Sequence, residues 1–210
     1  MNEYFIPEKT PSNRAADELD ARFWKKLFRN WVATLKNYEE FYEGEKPFHH
    51  PLSTQIGFIM NALDKMGCPA AINRPQESRL WISTRNKEEP IAREYSLKTI
   101  YSPFEFGENI GEAIKRRFAV PPAKEDSGAA KKCALLFMPT AVCEKHFSLK
   151  TQGAFYRLLD ELKQPFEDAL FDFGAIYFTD KELEAHTHCF NEARGKISRP
   201  GLFVALKIFD

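Results

Sequence analysis

The first third of the chain alternates apolar and polar residues with a helical period. Apolar side chains recur every three or four positions between residues 13 and 42, which predicts one long amphipathic helix capped by Ser12. A second helix is predicted over residues 52–67, where Gly67 can adopt the left-handed conformation of a helix end. The Pro-containing residues 1–11 are predicted to form an irregular arm. Two helices therefore precede any strand.

Short runs of strand-forming residues follow the two helices. They are separated by polar loops, which is typical of a meander of antiparallel strands. The three candidate strands are residues 69–73, 79–84 and 91–97. After them, Ser102-Pro103-Phe104-Glu105 combines a capping box with Pro at the first helical position, so a helix is predicted from there to Phe118.

The C-terminal half contains continuous apolar runs instead of alternating ones. These runs are residues 133–139, 174–178 and 201–209. Between them we predict a helix over 148–171, interrupted near Pro165, and another from Thr179. Strands without alternation, separated by helices, indicate a sheet buried on both faces with parallel crossovers. The predicted class is α/β: a mixed sheet with an N-terminal two-helix lead-in, a β-meander and then βα units.

Length and composition favour one domain. The 210 residues are 43% hydrophobic and include 19 Phe, which is enough for one substantial core. We expect a single domain over 12–210, with a flexible Pro-, Gly- and charge-rich loop at 119–132 inside it. No apolar run reaches the length of a membrane span and the N-terminus lacks a signal-peptide core, so we expect a cytoplasmic protein with no membrane partner.

The charges of the chain cancel. Thirty basic and thirty acidic side chains give a formal net charge of zero, so no overall field attracts a polyanion. Any nucleic-acid site has to be a local patch of cations.

The order of the predicted elements resembles a known fold. A three-strand meander, a capped crossover helix and a buried fourth strand, over about residues 52–139, are similar to the core of the PD-(D/E)xK nuclease-like (restriction-endonuclease) fold. The resemblance implies two acidic residues and a lysine at the ends of the second and third strands. In that family they hold Mg²⁺ and activate a water for attack on a phosphodiester.

The matching positions in this chain depart from the family pattern. Glu77 lies one residue too far from Pro75, and Ser96 occupies the lysine position two residues after Glu94. Glu94, Ser96 and Lys98 alternate onto one strand face, and Lys98 could replace the missing lysine only if the strand bends. The candidate catalytic set is therefore Glu77, Glu94 and Lys98, with Mg²⁺ as the implied cofactor. The competing interpretation is solvated charge on a partly exposed strand.

Two further clusters are candidates for binding. Cys143, His146, His186 and Cys189 are ligand types that zinc prefers, but their spacing forms only unpaired half-motifs, so ordinary thiols and surface histidines are favoured over zinc. On the first predicted helix, a basic stripe lies beside two tryptophans and could hold phosphates or an acidic protein. It consists of Arg22, Lys26 and Arg29, beside Trp24 and Trp31. A solvated helix face is the simpler interpretation of that stripe.

The leading functional hypothesis is a non-enzymatic interaction or regulatory protein. No GxGxxG, Walker, HExxH or GxSxG motif is present in the sequence. The first helix carries more large apolar residues than one narrow face needs, so part of this set is expected to be exposed for a protein partner or for self-association. That set is Trp24, Phe28, Trp31 and Tyr38. The alternative is a Mg²⁺-dependent nuclease, or a nucleic-acid-binding protein, with a rearranged PD-(D/E)xK site.

Overall fold

The structure is a computed structural model of the chain. It describes residues 17–42, 47, 50–73, 79–84, 93–103, 109–119, 130–143, 162–178 and 198–209. The helices are α1 (Glu18–Phe41), α2 (Leu52–Lys65) and α3 (Ile110–Phe118). The strands are β1 (Ala70–Asn73), β2 (Arg79–Ser83), β3 (Glu94–Tyr101), β4 (Lys131–Cys143), β5 (Phe173–Phe178) and β6 (Ser198–Phe209). Residues 162–167 are also helical.

The six strands form one mixed sheet in the order β1-β2-β3-β4-β6-β5. The meander β1-β2-β3 is antiparallel, β4 is parallel to β3 across the α3 connection, and β6 is antiparallel to both β4 and β5. The α/β class with a mixed sheet is confirmed. The prediction of parallel pairing in the C-terminal half is wrong for β6. A continuous apolar run reports burial on both faces, and it carries no information about strand direction.

A capping box fixes the start of α1. The Asp17 side chain accepts hydrogen bonds from the backbone N–H groups of Leu19 and Asp20, and the Asp20 side chain accepts one from the Asp17 N–H. The predicted start at residue 13 with Ser12 as cap is therefore wrong, because α1 begins at Glu18.

Local sequence signals predicted the end of α2 correctly and the start of α3 incorrectly. Gly67 follows α2 with φ of 68°, which confirms its role as the stop. The predicted start of the next helix at Ser102 is wrong: its backbone N–H donates to Phe137 O at 3.0 Å, continuing the pairing of β3 with β4. Asn109 caps α3 instead, accepting from the N–H of Glu112. Residues 104–108 lie outside the described residues.

The sheet separates two hydrophobic cores. We call the side covered by α1 and α2 the α1 face, and the side covered by α3 and residues 162–171 the α3 face. Along β4 the side chains alternate between them, so Leu135 belongs to the α1 core and Leu136 to the α3 core. Among the described helices, none has the length and apolar character required to cross a membrane.

The expected exposure of the α1 aromatic residues is wrong for three of them. Trp24, Phe28 and Trp31 have no exposed surface. They are buried because α1 packs against α2 and the sheet together, so its apolar stripe has to be wide. Large aromatic exposure occurs only at the end of the helix among the described residues, where Phe41 is 79% and Tyr42 49% exposed.

Candidate functional site

The α3 face of the sheet changes character from one side to the other. Along the middle of β4 and β6 it is apolar and packs against α3 and residues 162–171. Over β2 and β3 the same face carries polar or amphipathic side chains, which alternate with the buried residues of the α1 face. These side chains are Arg79, Trp81 and Ser83 on β2, and Glu94, Ser96 and Lys98 on β3.

The strand register aligns cations from distant parts of the chain. Arg79 pairs with Lys98, Lys98 with Ala134, and Ala134 with Lys207, so these residues form one row across four strands. Neighbouring strands lie about 4.8 Å apart. The backbone positions of Arg79 and Lys98 are therefore about 5 Å apart, and those of Lys98 and Lys207 about 10 Å.

The neighbouring row combines an aromatic residue with another cation. Trp81 pairs with Ser96, Ser96 with Lys132, and Lys132 with Phe209. Two residues along a strand separate the two rows by about 7 Å. We call this partly exposed surface the basic sheet face; it comprises Arg79, Trp81, Ser96, Lys98, Lys132 and Lys207.

Two features border the basic sheet face. Lys207 Nζ donates to Ala169 O at 3.3 Å and lies 6.0 Å from the centroid of the Phe209 ring. The segment after the helical residues 162–167 therefore limits the face on the β6 side. At the opposite end Glu94, an exposed carboxylate paired with Ser83, follows the row of Trp81.

The proposed catalytic residues are only partly described. Glu94 and Lys98 lie on the same face of β3 with Ser96 between them, and all three belong to the α3 face. Glu77 lies outside the described residues. No group of three or more His, Cys, Asp or Glu suited to a metal comes together within the described part of the chain. The catalytic assignment stays a prediction.

The zinc hypothesis is also untested. Cys143 is the last residue of β4 and pairs with Ser198 in the sheet. His146, His186 and Cys189 lie outside the described residues. The zinc site therefore stays a prediction.

The basic stripe of α1 lies apart from the tryptophans that were expected to accompany it. Arg22, Lys26 and Arg29 are exposed, whereas Trp24 and Trp31 are buried in the α1 core. The stripe is on the opposite side of the sheet from the basic sheet face, because α1 covers the α1 face. It therefore combines exposed cations with no exposed tryptophan.

A second cluster of charges lies beneath the start of α1. The Asp20 carboxylate is fully buried and accepts hydrogen bonds from Arg93 Nη1 at 2.9 Å, Tyr95 Oη at 2.7 Å and Lys131 Nζ at 2.5 Å. Arg93 also pairs with Asp17 at 2.7 Å. Two carboxylates and two cations balance here, and the cluster joins α1 to β3 and β4.

The titration of this cluster supports a structural role. Burial, followed by the hydrogen bond to Asp20, raises the pKa of Tyr95 far above its ordinary value. Burial also raises the pKa of the nearby Cys133 thiol well above its ordinary value. Although burial opposes it, hydrogen bonds from the Asp20 backbone and the Arg93 side chain lower the pKa of Asp17. The neutral phenol and thiol are poor nucleophiles near neutral pH, and both carboxylates are held in ion pairs with Arg93 and Lys131, which favours a structural role.

Sequence patterns did not reveal the basic sheet face, because its cations lie on four strands and are only aligned by the register. The Asp17-x-x-Asp20 capping box was a usable local signal for the buried cluster. Comparisons of the chain with protein-family models, curated proteins and solved structures find no match. The chemistry of the protein is therefore inferred from its own residues.

Proposed function

We propose that the protein binds nucleic acid through the basic sheet face. The observation that supports this function is the grouping of three cationic side chains, Arg79, Lys98 and Lys132, beside the partly exposed Trp81, with Lys207 further along the same face. Cations that neutralise phosphates supply most of the affinity of non-specific nucleic-acid binding. Because the chain as a whole has no net charge, this local grouping is what would attract the ligand. We also propose that the protein acts in the cytoplasm.

The test is the salt dependence of binding. For a labelled single-stranded oligonucleotide, each phosphate contact contributes about −0.7 to the slope of log K against log salt. Replacing Lys98 and Lys132 together by Ala should therefore weaken binding at low salt and make the slope about 1.4 less steep. Fluorescence anisotropy in roughly 20 to 200 mM salt measures both the affinity and the slope, because phosphate contacts weaken strongly over this range.

The matched control is the double replacement of Arg22 and Lys26 by Ala. It removes the same charge from the exposed side of α1, across the sheet from the basic sheet face. Its affinity and slope should stay close to those of the wild type. If the α1 variant loses binding while the sheet variant keeps it, the nucleic-acid site is on α1 and the proposal is wrong.

The magnesium-dependent nuclease remains the alternative form of this function. Glu94 borders the basic sheet face, and the meander, α3 and the parallel β4 have the element order on which the resemblance to the nuclease fold rests. Incubating the protein with single-stranded and plasmid DNA in Mg²⁺ or Mn²⁺ separates binding from cleavage. Cleavage that is lost in Glu94→Ala would establish catalysis, whereas intact substrate supports binding alone.

The second candidate function is self-association through the end of α1. Phe41 is 79% exposed and its ring lies 5.0 Å from that of Tyr42, whose ring is 4.7 Å from the ring of Tyr38 and tilted 38° to it. Exposed aromatic groups of this kind favour association. Sedimentation velocity over a range of concentrations should show a dimer that Phe41→Ser reduces to monomer. A monomer at every concentration would remove this candidate.

A further inference from the structure

Trp81 differs from the other two tryptophans of the chain. Trp24 and Trp31 are fully buried, and neither indole N–H has a hydrogen-bond partner. Trp81 is partly exposed and lies in the middle of β2, away from both cores. Its partners on the adjacent strands are Ala71 on β1 and Ser96 on β3. Both partners are small residues, so neither places a large side chain directly opposite the indole.

Cations lie along one side of this indole at distances suited to a nucleotide chain, and the carboxylate of Glu94 occupies the opposite diagonal position on β3. Arg79 lies two residues from Trp81 along β2, about 7 Å away, and Lys132 lies two strands away in the same row, about 10 Å. Lys98 occupies the diagonal position between them. An aromatic platform for a base with cations on its flanks for phosphates is the usual composition of single-strand binding surfaces.

The position of Trp81 excludes recognition of bases inside a duplex. The major groove is about 12 Å wide and admits a helix or a two-stranded ribbon. Trp81 is on a strand paired on both sides within a six-stranded sheet, which is far wider than that groove. A paired base is also stacked between its neighbours, so its face is not accessible.

From this geometry we infer that the basic sheet face binds single-stranded nucleic acid, with an unpaired base stacked on Trp81. The inference rests on the nucleic-acid function proposed above and names its substrate class. Arg79, Lys98 and Lys132 hold the phosphates of the strand as it continues from that base toward β4. Stacking on an aromatic ring is tolerant of sequence because every base has a π-face. The site therefore prefers unpaired strands over duplexes and discriminates weakly among bases.

The experiment compares single strands that differ in their bases and carry equal charge. The single strands are an oligothymidylate, an oligouridylate and an abasic strand of the same length, and a duplex with the same total number of phosphates is the fourth probe. Removing a stacked aromatic ring costs about 1 to 3 kcal/mol per base, so Trp81→Ala should weaken oligothymidylate binding roughly 5- to 150-fold. It should leave the affinity for the abasic strand unchanged. Trp81→Phe keeps a ring and should recover part of the lost affinity.

Intrinsic fluorescence provides a second measurement on the intact protein. Because Trp24 and Trp31 are buried, quenching by a bound oligothymidylate should come from Trp81 and disappear in Trp81→Phe. The abasic strand should cause little quenching. Circular dichroism of each variant verifies that it is folded. The parallel use of oligouridylate shows whether RNA or DNA is preferred at the same site.

The outcomes separate this inference from the function on which it rests. Base stacking would be overturned if oligothymidylate and the abasic strand bind equally and Trp81→Ala has no effect on either. If the loss of Lys98 and Lys132 still weakens binding in that case, nucleic-acid binding itself is intact. Tighter binding of the duplex than of the single strand would overturn the substrate class. If no probe binds at low salt, the proposed function itself is wrong.

Discussion

At the scale of single residues, the Asp20 side chain should contribute more to the free energy of unfolding than its small size suggests. Its buried carboxylate pairs with Arg93 and Lys131, whose side chains are 20% and 30% exposed. It also accepts a hydrogen bond from the Tyr95 hydroxyl. A buried ion pair gives little net stability, but removing one partner leaves the other charges without compensation. The cluster therefore makes folding depend strongly on one carboxylate.

We expect Asp20→Asn to lower the free energy of unfolding by about 3 kcal/mol, the lower end of the range for broken buried pairs because both cations retain some contact with water. Urea unfolding followed by circular dichroism measures this. Glu40→Gln is the control, since Glu40 and Lys36 form an exposed pair at 3.8 Å, and it should change stability by less than about 0.5 kcal/mol. Equal losses in the two variants would show that the cluster contributes no more than a surface pair.

At the scale of elements, the sequence predicted what local chemistry decides. The hydrophobic period located α1 and α2, and Gly67 marked the end of α2. The start of α3 was missed because Ser102 has a capping-box sequence but its N–H pairs with β4, so a sheet contact overrides a local preference. The direction of β6 was missed because pairing between distant strands leaves no periodic signal.

Gly57 within α2 and Gly67 after it offer a test of how this helix ends. Gly67 has φ of 68° whereas Gly57 lies within the helix, and an added Cβ would meet nothing within 4 Å at either position. Gly67→Ala should therefore lose about 1 kcal/mol from backbone strain alone. Gly57→Ala should gain about 0.4 to 1 kcal/mol, because it restricts the unfolded chain and favours the helix.

The same substitution should thus shift the thermal midpoint in opposite directions at the two sites. Differential scanning calorimetry of both variants measures the shifts. A gain of stability in Gly67→Ala would mean that the left-handed turn after α2 is not required.

At the scale of the whole molecule, the candidate site is a product of topology. The cations of the basic sheet face come from β2, β3, β4 and β6, one from each strand, so they are far apart in the sequence. A net charge of zero indicated that any nucleic-acid site is a local patch, and α1 was the visible candidate because its cations are close in sequence. The register instead places three cations beside Trp81, and Lys207 further along the same face, on the other side of the sheet.

The shared sheet also predicts how the molecule unfolds. Leu135 and Leu136 are fully buried neighbours on β4 that belong to the α1 core and the α3 core respectively. Replacing either by Ala should cost about 2 to 5 kcal/mol, through lost burial and the cavity that remains. Because β4 contributes to both cores, damage to one core should destabilise the other as well.

Unfolding of Leu136→Ala in a Trp81→Phe background tests this coupling. The remaining tryptophans, Trp24 and Trp31, report on the α1 core, whereas the substitution lies in the α3 core. Tryptophan emission and far-ultraviolet circular dichroism should give one coincident transition at a lower urea midpoint, which is the signature of cooperative unfolding. Leu135→Ala is the matched control, with an equal change in volume on the tryptophan side.

The two cores would unfold independently if the emission midpoint of Leu136→Ala stays at the wild-type value while the circular dichroism transition moves. The basic sheet face could then lose its support along β4 and β6 while α1 remains packed.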